Sequence, residues 1–230
     1  MTRQSQNIMH PTLLLILDGF GLRDADAPGN AITAKTAPHI FRYMKEYAAT
    51  KLAASGEAVG LLKDQKGNSE AGHFNIGAGR VVKQDLVAIS EAIHDGTFFK
   101  NEAFKQAIHH AKKYKTAVHI LAMLTQHNSV HTLPEHVYAT LEYLRRNEQK
   151  KVFLHLITDG RDSSPHSALS FLHELRTHLL AHEKIATVMG RFYAMDRNKI
   201  WARTKRAYEV MVLGKGCASA SAEEAVEQAY

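Results

Sequence analysis

Residues 151–162 have the sequence KVFLHLITDGRD, a mostly apolar run that ends in a turn with acidic and basic side chains. An apolar run of this length bounded by a turn predicts a buried strand. Two similar runs, residues 117–124 and 185–189, precede and follow it along the chain. Segments with helical spacing, residues 134–147 and 165–181, separate the three runs. Strand and helix therefore alternate, which predicts right-handed βαβ units, a mostly parallel sheet and an α/β fold.

Further strands and a long loop are predicted nearer the start of the chain. Residues 11–18 contain five consecutive leucine or isoleucine residues, which predicts another buried strand. Residues 51–54 are a weaker strand candidate. Gly and Asn are frequent in residues 55–80, which is typical of a loop that carries function.

Additional helices are predicted from the spacing of apolar residues and from their end signals. Thr36 is a candidate N-cap for a helix over residues 36–48, and Pro38 lies near its first turn. Apolar residues recur at helical intervals in three other segments, residues 85–95, 101–113 and 198–211.

The composition indicates the compartment of the protein and the kinds of partner it lacks. The chain has 230 residues and a net charge of +6, but its basic residues are spread along the sequence and form no nucleic-acid-binding motif. No apolar stretch is long enough to cross a membrane, and residues 1–10 lack the apolar core of a secretion signal. The single cysteine, Cys217, excludes an internal disulfide and fits a reducing compartment. We therefore expect a cytoplasmic globular protein with no nucleic-acid or membrane partner.

Two segments carry side chains suited to phosphate chemistry. Asp18 is the last residue of the predicted strand, and Ser69 lies in the sequence GNSEAGH, residues 67–73, where a helix could begin. An acid at the carboxyl end of a strand is where an open α/β sheet places its chemistry, and a helix N-terminus favours anions. If Asp18 and Ser69 shared a divalent metal, the metal would lower the pKa of the serine and make it a nucleophile. The spacing alone leaves open an ordinary strand-end aspartate and a helix-capping serine.

A series of motifs extends this pattern over nearly the whole chain. The motifs, in order, are residues 17–21, 29–32, 54–61, 67–73, 75–80, 159–162 and 190–197. This series closely resembles the cofactor-independent (2,3-bisphosphoglycerate-independent) phosphoglycerate mutases. Members of that family are roughly twice as long, so the chain resembles an amino-terminal portion of one.

The resemblance implies a division of the chain into two parts. Residues 1–82 would be the incomplete start of an alkaline-phosphatase-like metal domain. Residues 83–230 would belong to an inserted α/β transferase domain whose carboxyl end is missing. The boundary is expected between Gly77 and Gln84, and the missing carboxyl-terminal half is the expected protein partner.

The resemblance also implies an activity and a set of site residues. The family interconverts 3-phosphoglycerate and 2-phosphoglycerate in glycolysis through a phosphoserine intermediate, and it uses two Mn²⁺ ions. By this resemblance Ser69 is the phospho-accepting nucleophile, and Asp18 and Ser69 are metal ligands. The residues expected to hold the glycerate part of the substrate are His131, Arg161, Asp162, Arg191 and Arg197.

The chain departs from the family pattern in two places. Around His131 the family has Ser-Asp-Gly-Gly-Val-His-Ser-His, whereas residues 125–133 here are TQHNSVHTL, so that both glycines are replaced. The family's remaining Asp and His metal ligands, and residues that grip the phosphate, lie beyond Tyr230. We therefore expect the 230-residue chain alone to be inactive.

Two other functions remain as alternatives. The chain could be an inactive truncated or split-gene product that at most binds glycerate. It could also be a different metal-dependent phosphatase or sulfatase of the same broad superfamily. The motifs at residues 159–162 and 190–197 argue against this last alternative, because in the family they belong to the inserted transferase domain.

Overall fold

A three-stranded parallel sheet organises the second half of the protein. The structure is a computed structural model that describes residues 11–24, 27–127, 129 and 131–230. The strands are β1 (Val118–Leu124), β2 (Val152–Thr158) and β3 (Glu183–Gly190), in the order β1-β2-β3. Both pairs are parallel, and Val118, Val152 and Glu183 are in register at the amino end. The predicted α/β fold with a parallel sheet is thus confirmed.

Nine α-helices and two short 3₁₀ helices occur in the described part of the chain. The segments predicted as helices from their spacing are helical, with ends that differ by a few residues. The α-helices are α1 (Pro38–Glu46), α2 (Ser69–Ala78), α3 (Asp85–His94), α4 (Glu102–Tyr114), α5 (Pro134–Arg146), α6 (Ala168–Thr177), α7 (Arg191–Ala194), α8 (Trp201–Leu213) and α9 (Ala222–Glu227). The 3₁₀ helices are Gly56–Val59 and Phe98–Lys100.

The core lies mainly on one face of the sheet. Leu154 and Leu156 of β2 pack there with Leu141 of α5 and Leu172 of α6, and all four side chains are fully buried. Burial of a leucine side chain stabilises a fold by roughly 1.5–3 kcal/mol, so this layer is the main source of stability. On the opposite face, Ile157 packs in a smaller cluster with Ala207 of α8. Helices α7 and α8 thereby cover the carboxyl ends of the strands, where the predicted site lies.

Both strands predicted for the start of the chain are wrong. Residues 11–18 form no strand, and Leu13 is 86% exposed. Residues 51–54 form no strand either. A strand is stable only with a neighbour that satisfies its backbone, and no described segment pairs with either of these.

The beginning of helix α1 also differs from its prediction. The N-cap is Ala37, whereas the Thr36 hydroxyl donates to the Ala31 carbonyl 2.7 Å away. Pro38 does lie in the first turn, where its missing N–H costs nothing.

Residues 55–80, predicted as a loop, contain helix α2. The segment before this helix packs closely against neighbouring backbone. A Cβ atom on Gly67 would lie 1.8 Å from the Ala54 carbonyl oxygen, and one on Gly60 would lie 2.0 Å from that of Val82. These glycines therefore allow backbone contacts that no other residue would permit. Among the helices of the described residues, none has the length and apolarity needed to span a bilayer.

Candidate functional site

The predicted nucleophile lies at the start of helix α2. Ser69 is the first helical residue, and the Asn68 side chain caps the helix by accepting from the Ala71 N–H at 2.8 Å. The Ser69 hydroxyl donates to Asp18 Oδ2 at 2.8 Å, and the same hydroxyl oxygen lies 3.2 Å from His73 Nδ1. The structure thus brings together Asp18 and Ser69, which are 51 residues apart in sequence.

This arrangement provides an exposed hydroxyl beside a carboxylate and a helix N-terminus. Such a position favours an anion, because the first backbone N–H groups of a helix lack partners within the helix. His73 was not a predicted site residue. Its spacing of four residues from Ser69 in a helix was the available signal, because such residues share one helix face.

The Ser69 cluster supplies only part of what a metal centre needs. Within the described residues, no group of three or more His, Cys, Asp or Glu side chains could hold a metal ion. Asp18 and Ser69 offer two oxygen atoms, whereas Mn²⁺ prefers several carboxylate, imidazole and water ligands. The residues present therefore do not make a complete transition-metal site.

A second cluster forms where strands β2 and β3 end, and Arg191 is its centre. One terminal nitrogen of Arg191, Nη1, donates to Asp159 Oδ1 at 2.6 Å and to Asp162 Oδ2 at 2.7 Å. The other, Nη2, lies 3.4 Å from His131 Nε2, which is 3.2 Å from Asp162 Oδ2. Three predicted substrate-binding residues, His131, Asp162 and Arg191, are therefore in contact.

Asp159 fixes this cluster from its buried side, although it was not among the site residues predicted from the sequence. Its side chain is 1% exposed and accepts from the backbone N–H groups of Arg161 and Asp162 and from the Ser163 hydroxyl. Burial raises the pKa of Asp159, but hydrogen bonds from Arg191, Ser163 and the two N–H groups outweigh this effect and lower it to about 2. The ionised Asp159 thus holds Arg191 in place. Its position, first in the sequence DGRD, was the signal that could have identified it.

The other two predicted arginines remain outside the cluster. The Arg161 and Arg197 side chains are exposed, and neither forms a hydrogen bond or ion pair within the described ranges. Asp196 orders the turn after Arg197 by accepting from the Ile200 N–H at 2.8 Å and from Arg203 at 3.0 Å. Both arginines are therefore available to a ligand, whereas Arg191 is already held by carboxylates.

Gln65 joins the segment before Ser69 to the segment that carries His131. It is buried, and its Nε2 donates to the Ser129 carbonyl at 3.1 Å. The Ser129 hydroxyl in turn accepts from the His131 N–H at 3.2 Å. An open cavity of about 610 Å³ is lined by residues of both segments, Asn68 and Glu70 on one side and His131 and Thr132 on the other. A cavity of this size can hold a small organic ligand.

The altered segment around His131 is described only in part. Asn128 and Val130 lie outside the described residues. His127 is described, and its ring contacts Glu135 and Glu174.

Comparisons with known proteins point to one family. The family described as "BPG-independent PGAM N-terminus (iPGM_N)" matches residues 89–230. The 2,3-bisphosphoglycerate-independent phosphoglycerate mutase of Clostridium novyi is 46% identical over 222 residues, which are 96% of this chain and 43% of that protein. The protein of the same name from Chloroflexus aggregans is 47% identical, again over 96% of this chain and over 41% of its own length.

A solved structure agrees with these relatives. The crystal structure of Leishmania mexicana phosphoglycerate mutase at low cobalt concentration matches with a TM-score of 0.74 and 28% identity. The match covers 87% of this chain and 39% of that one. The chain therefore spans about two fifths of the length of the relatives it matches. Since the family match covers more than half of its residues, the chain belongs to the amino-terminal family of 2,3-bisphosphoglycerate-independent phosphoglycerate mutases.

Proposed function

We propose that this chain is the amino-terminal part of an enzyme that interconverts 3-phosphoglycerate and 2-phosphoglycerate, an isomerase of glycolysis in the cytoplasm. Ser69 is the nucleophile in this proposal. The observation that carries it is the 2.8 Å hydrogen bond from Ser69 to Asp18 at a helix N-terminus, whose neighbouring residues Asn68 and Glu70 line a cavity together with His131.

The reaction consists of two phosphoryl transfers. In the first, the Ser69 hydroxyl loses its proton and its oxygen forms a bond to phosphorus, while the bond between phosphorus and the 3-oxygen of the substrate breaks and the 3-oxygen takes up a proton. In the second, the 2-hydroxyl of the retained glycerate loses its proton and attacks the phosphorus of the phosphoserine. The bond between phosphorus and the Ser69 oxygen breaks, and the Ser69 oxygen takes up a proton. The glycerate must stay bound between these steps, so the protein needs groups that hold it independently of the phosphate.

The Arg191 cluster is suited to that task. Arg191 uses Nη1 for both aspartates, and its Nη2 lies beside His131, which lines the cavity. Guanidinium groups bind carboxylates with two parallel hydrogen bonds. Arg161 follows strand β2 and Arg197 follows strand β3 in the sequence, and both side chains are exposed. In this proposal His131, Arg161, Arg191 and Arg197 bind anionic oxygens, and Asp162 accepts from a substrate hydroxyl.

Asp18 and Ser69 are proposed as ligands of a divalent metal site, expected to hold two Mn²⁺ ions. When bound, the metal would favour the ionised serine and neutralise charge on the phosphoryl oxygens. The other ligands, and the groups that hold the phosphate, would come from the carboxyl-terminal half that the relatives possess. The alternative, a chain that only binds glycerate, rests on the same Arg191 cluster without turnover at Ser69.

The test is detection of the phosphoserine. The chain would be joined to the carboxyl-terminal remainder of the Clostridium novyi relative and incubated with 3-phosphoglycerate and manganese. Mass spectrometry is expected to find phosphate on Ser69, and Ser69→Ala is expected to lose both the modification and the turnover. Ser55→Ala is the matched control, because Ser55 is exposed in the same region and makes no capping hydrogen bond. Turnover that survives in Ser69→Ala would refute the assignment.

A further inference from the structure

The segment that carries His131 is held at its other end by a second histidine. His127 Nδ1 lies 2.5 Å from Glu135 Oε1 of helix α5, and His127 Nε2 lies 3.0 Å from Glu174 Oε1 of helix α6. Both ring nitrogens therefore face carboxylate oxygens, which only accept hydrogen bonds. A neutral imidazole has one N–H and can satisfy one of them, whereas the imidazolium has two and can satisfy both.

The surrounding groups favour the charged ring. The hydrogen bond from His127 to Glu135 raises the pKa of His127, and this effect exceeds that of partial burial, which lowers it. On the same side, the Tyr138 hydroxyl of helix α5 donates to Glu174 at 3.1 Å, and the His178 ring stacks on Tyr138 at 3.7 Å. Burial raises the pKa of Tyr138, and its hydrogen bond to Glu174 adds to this, so the hydroxyl stays a neutral donor. Among the described residues, the ion-pair partners of His127 are therefore both carboxylates, Glu135 and Glu174.

The contacts of His127 bear on the position of His131 through a short chain of hydrogen bonds. The adjacent Gln126 side chain donates to the Asp162 carbonyl at 2.7 Å, and Ser129 binds both Gln65 and the His131 N–H. These contacts hold Gln126 to the turn after strand β2 and Ser129 to the segment before Ser69. The contacts of His127 with Glu135 and Glu174, here called the His127 clamp, attach the same segment to helices α5 and α6. Without it, the part of the segment next to His131 has fewer fixed points.

We propose that protonated His127 is a positioning residue, which clamps the segment between helices α5 and α6 so that His131 stays against Asp162 and Arg191. One part of this proposal, the contact between His131 and the glycerate carboxylate, rests on the proposed function. The proposal predicts that the protein binds the glycerate carboxylate less tightly at alkaline pH. The family pattern Ser-Asp-Gly-Gly-Val-His has no histidine before its Val-His, so the clamp would be a property of this chain.

The direction of the pH effect follows from the raised pKa. A group whose pKa is higher in the folded protein stabilises it fully below the unfolded value of 6.5, and this stabilisation is lost as the pH rises through the raised pKa. His127 is more than half exposed, so the effect is expected to be modest. Exposed ion pairs typically change an equilibrium on the order of two- to fivefold.

The first measurement uses the 230-residue chain without any ligand. Amide hydrogen exchange, corrected for the intrinsic rate at each pH, would be followed at the His131 N–H at about pH 6 and about pH 8.5. In the wild type, protection is expected to fall about two- to fivefold at the higher pH. In His127→Gln it should be low at both values, and in His127→Lys, which keeps its charge, it should not change with pH. Glu142→Gln is the matched control, because Glu142 lies on α5 but pairs only with Arg146 among the described residues.

The second measurement is a titration of the same proteins with D-glycerate, whose carboxylate is ionised throughout this pH range. The dissociation constant is expected to follow the exchange protection, rising about two- to fivefold in His127→Gln and becoming pH-independent in His127→Lys. Glu174→Gln removes the other end of the clamp and should behave like His127→Gln. Wild-type protection and pH dependence in His127→Gln would overturn the clamp. Protection that follows the prediction in a chain that binds no glycerate would leave the clamp standing and refute the proposed binding function.

Discussion

At the scale of single residues, the arginine cluster divides into groups that build the site and groups that remain available to a ligand. Asp159 and Arg191 are buried or nearly so and hold each other, whereas Arg161 and Arg197 are exposed. The same motif, DGRD, therefore contains a structural aspartate and a ligand-accessible arginine. Their roles can be separated by measuring stability and turnover in the same variants.

We expect Asp159→Asn to lower the free energy of unfolding by about 2–4 kcal/mol at neutral pH, because it leaves the Arg191 guanidinium without its buried partner. The pKa of Asp159 is lowered to about 2 from 3.8, so its contribution is present above about pH 3.8 and is lost as the pH falls through about 2. Urea denaturation of both proteins at a series of pH values checks this. The difference between them should shrink towards acid pH.

Asp64→Asn serves as the control for that series, because the Asp64 side chain is exposed and forms no ion pair within the described residues. Its stability should equal that of the wild type at every pH. A full-sized effect of Asp159→Asn that does not change with pH would show that shape, and not charge, makes Asp159 important.

Arg161→Ala is expected to leave stability unchanged but to reduce turnover of the completed enzyme about 30- to 150-fold, the equivalent of about 2–3 kcal/mol for a bidentate contact with an anion. Arg161→Lys should also be impaired, because an ammonium group cannot replace the planar fork. Arg191→Ala should reduce both turnover and stability. Steady-state kinetics with 3-phosphoglycerate and urea denaturation distinguish these cases, and near-normal kinetics for both alanine variants would refute the binding role.

At the scale of elements, the success of sequence-based prediction depends on how local each element is. Strand β2 and helices α5 and α6 were predicted because their apolar spacing lies within the element. Residues 11–18 have an equally apolar pattern but no partner strand among the described residues, and pattern alone cannot supply one. A helix start was indicated at Ser69, but the glycines of α2 lower helix propensity, so residues 55–80 were predicted as a loop.

The candidate site shows the same limit. The sequence and its family resemblance selected the residues that meet, Asp18 with Ser69 and His131 with Asp162 and Arg191. Neither could give the buried contacts that position them, such as Asp159 below Arg191 and Gln65 on Ser129. Such contacts join segments that are distant in sequence, so they depend on the folded arrangement and leave no periodic pattern.

The glycines of the segment before helix α2 provide a test at this scale. In Gly67→Ala the new methyl group would overlap the Ala54 carbonyl, so the segment must shift and stability should fall by about 1–3 kcal/mol. Gly72→Ala is the matched control, because a Cβ atom on Gly72 would meet no other atom within 4 Å and alanine favours a helix interior. It should raise stability by up to about 1 kcal/mol. Urea denaturation checks both, and equal stability of the two variants would contradict the close approach.

At the scale of the whole molecule, the described chain has a well-packed sheet region, whereas none of residues 11–24 and 27–55 is buried. Leu13 and Leu14 are 86% and 70% exposed, and they lie shortly before Asp18 in the sequence. A contiguous exposed apolar run of this kind is a liability for self-association unless another surface covers it. The relatives are more than twice as long as the matched region, so we expect their additional residues to cover this run.

We predict that the 230-residue chain alone does not interconvert phosphoglycerates. Transfer of a phosphoryl group needs several positive charges around it, and removing one such stabiliser typically costs a factor of about 10²–10³ in rate. Of the described residues, only Asp18 and Ser69 are in place as metal ligands, so several stabilisers are lacking at once. A coupled assay with manganese and 3-phosphoglycerate should show no Ser69-dependent turnover. Under the same conditions the complete Clostridium novyi relative is the positive control, and joining its carboxyl-terminal remainder to this chain should restore turnover. Turnover by the unjoined chain that disappears in Ser69→Ala would contradict the prediction and would mean that nearby side chains such as His73 complete the site.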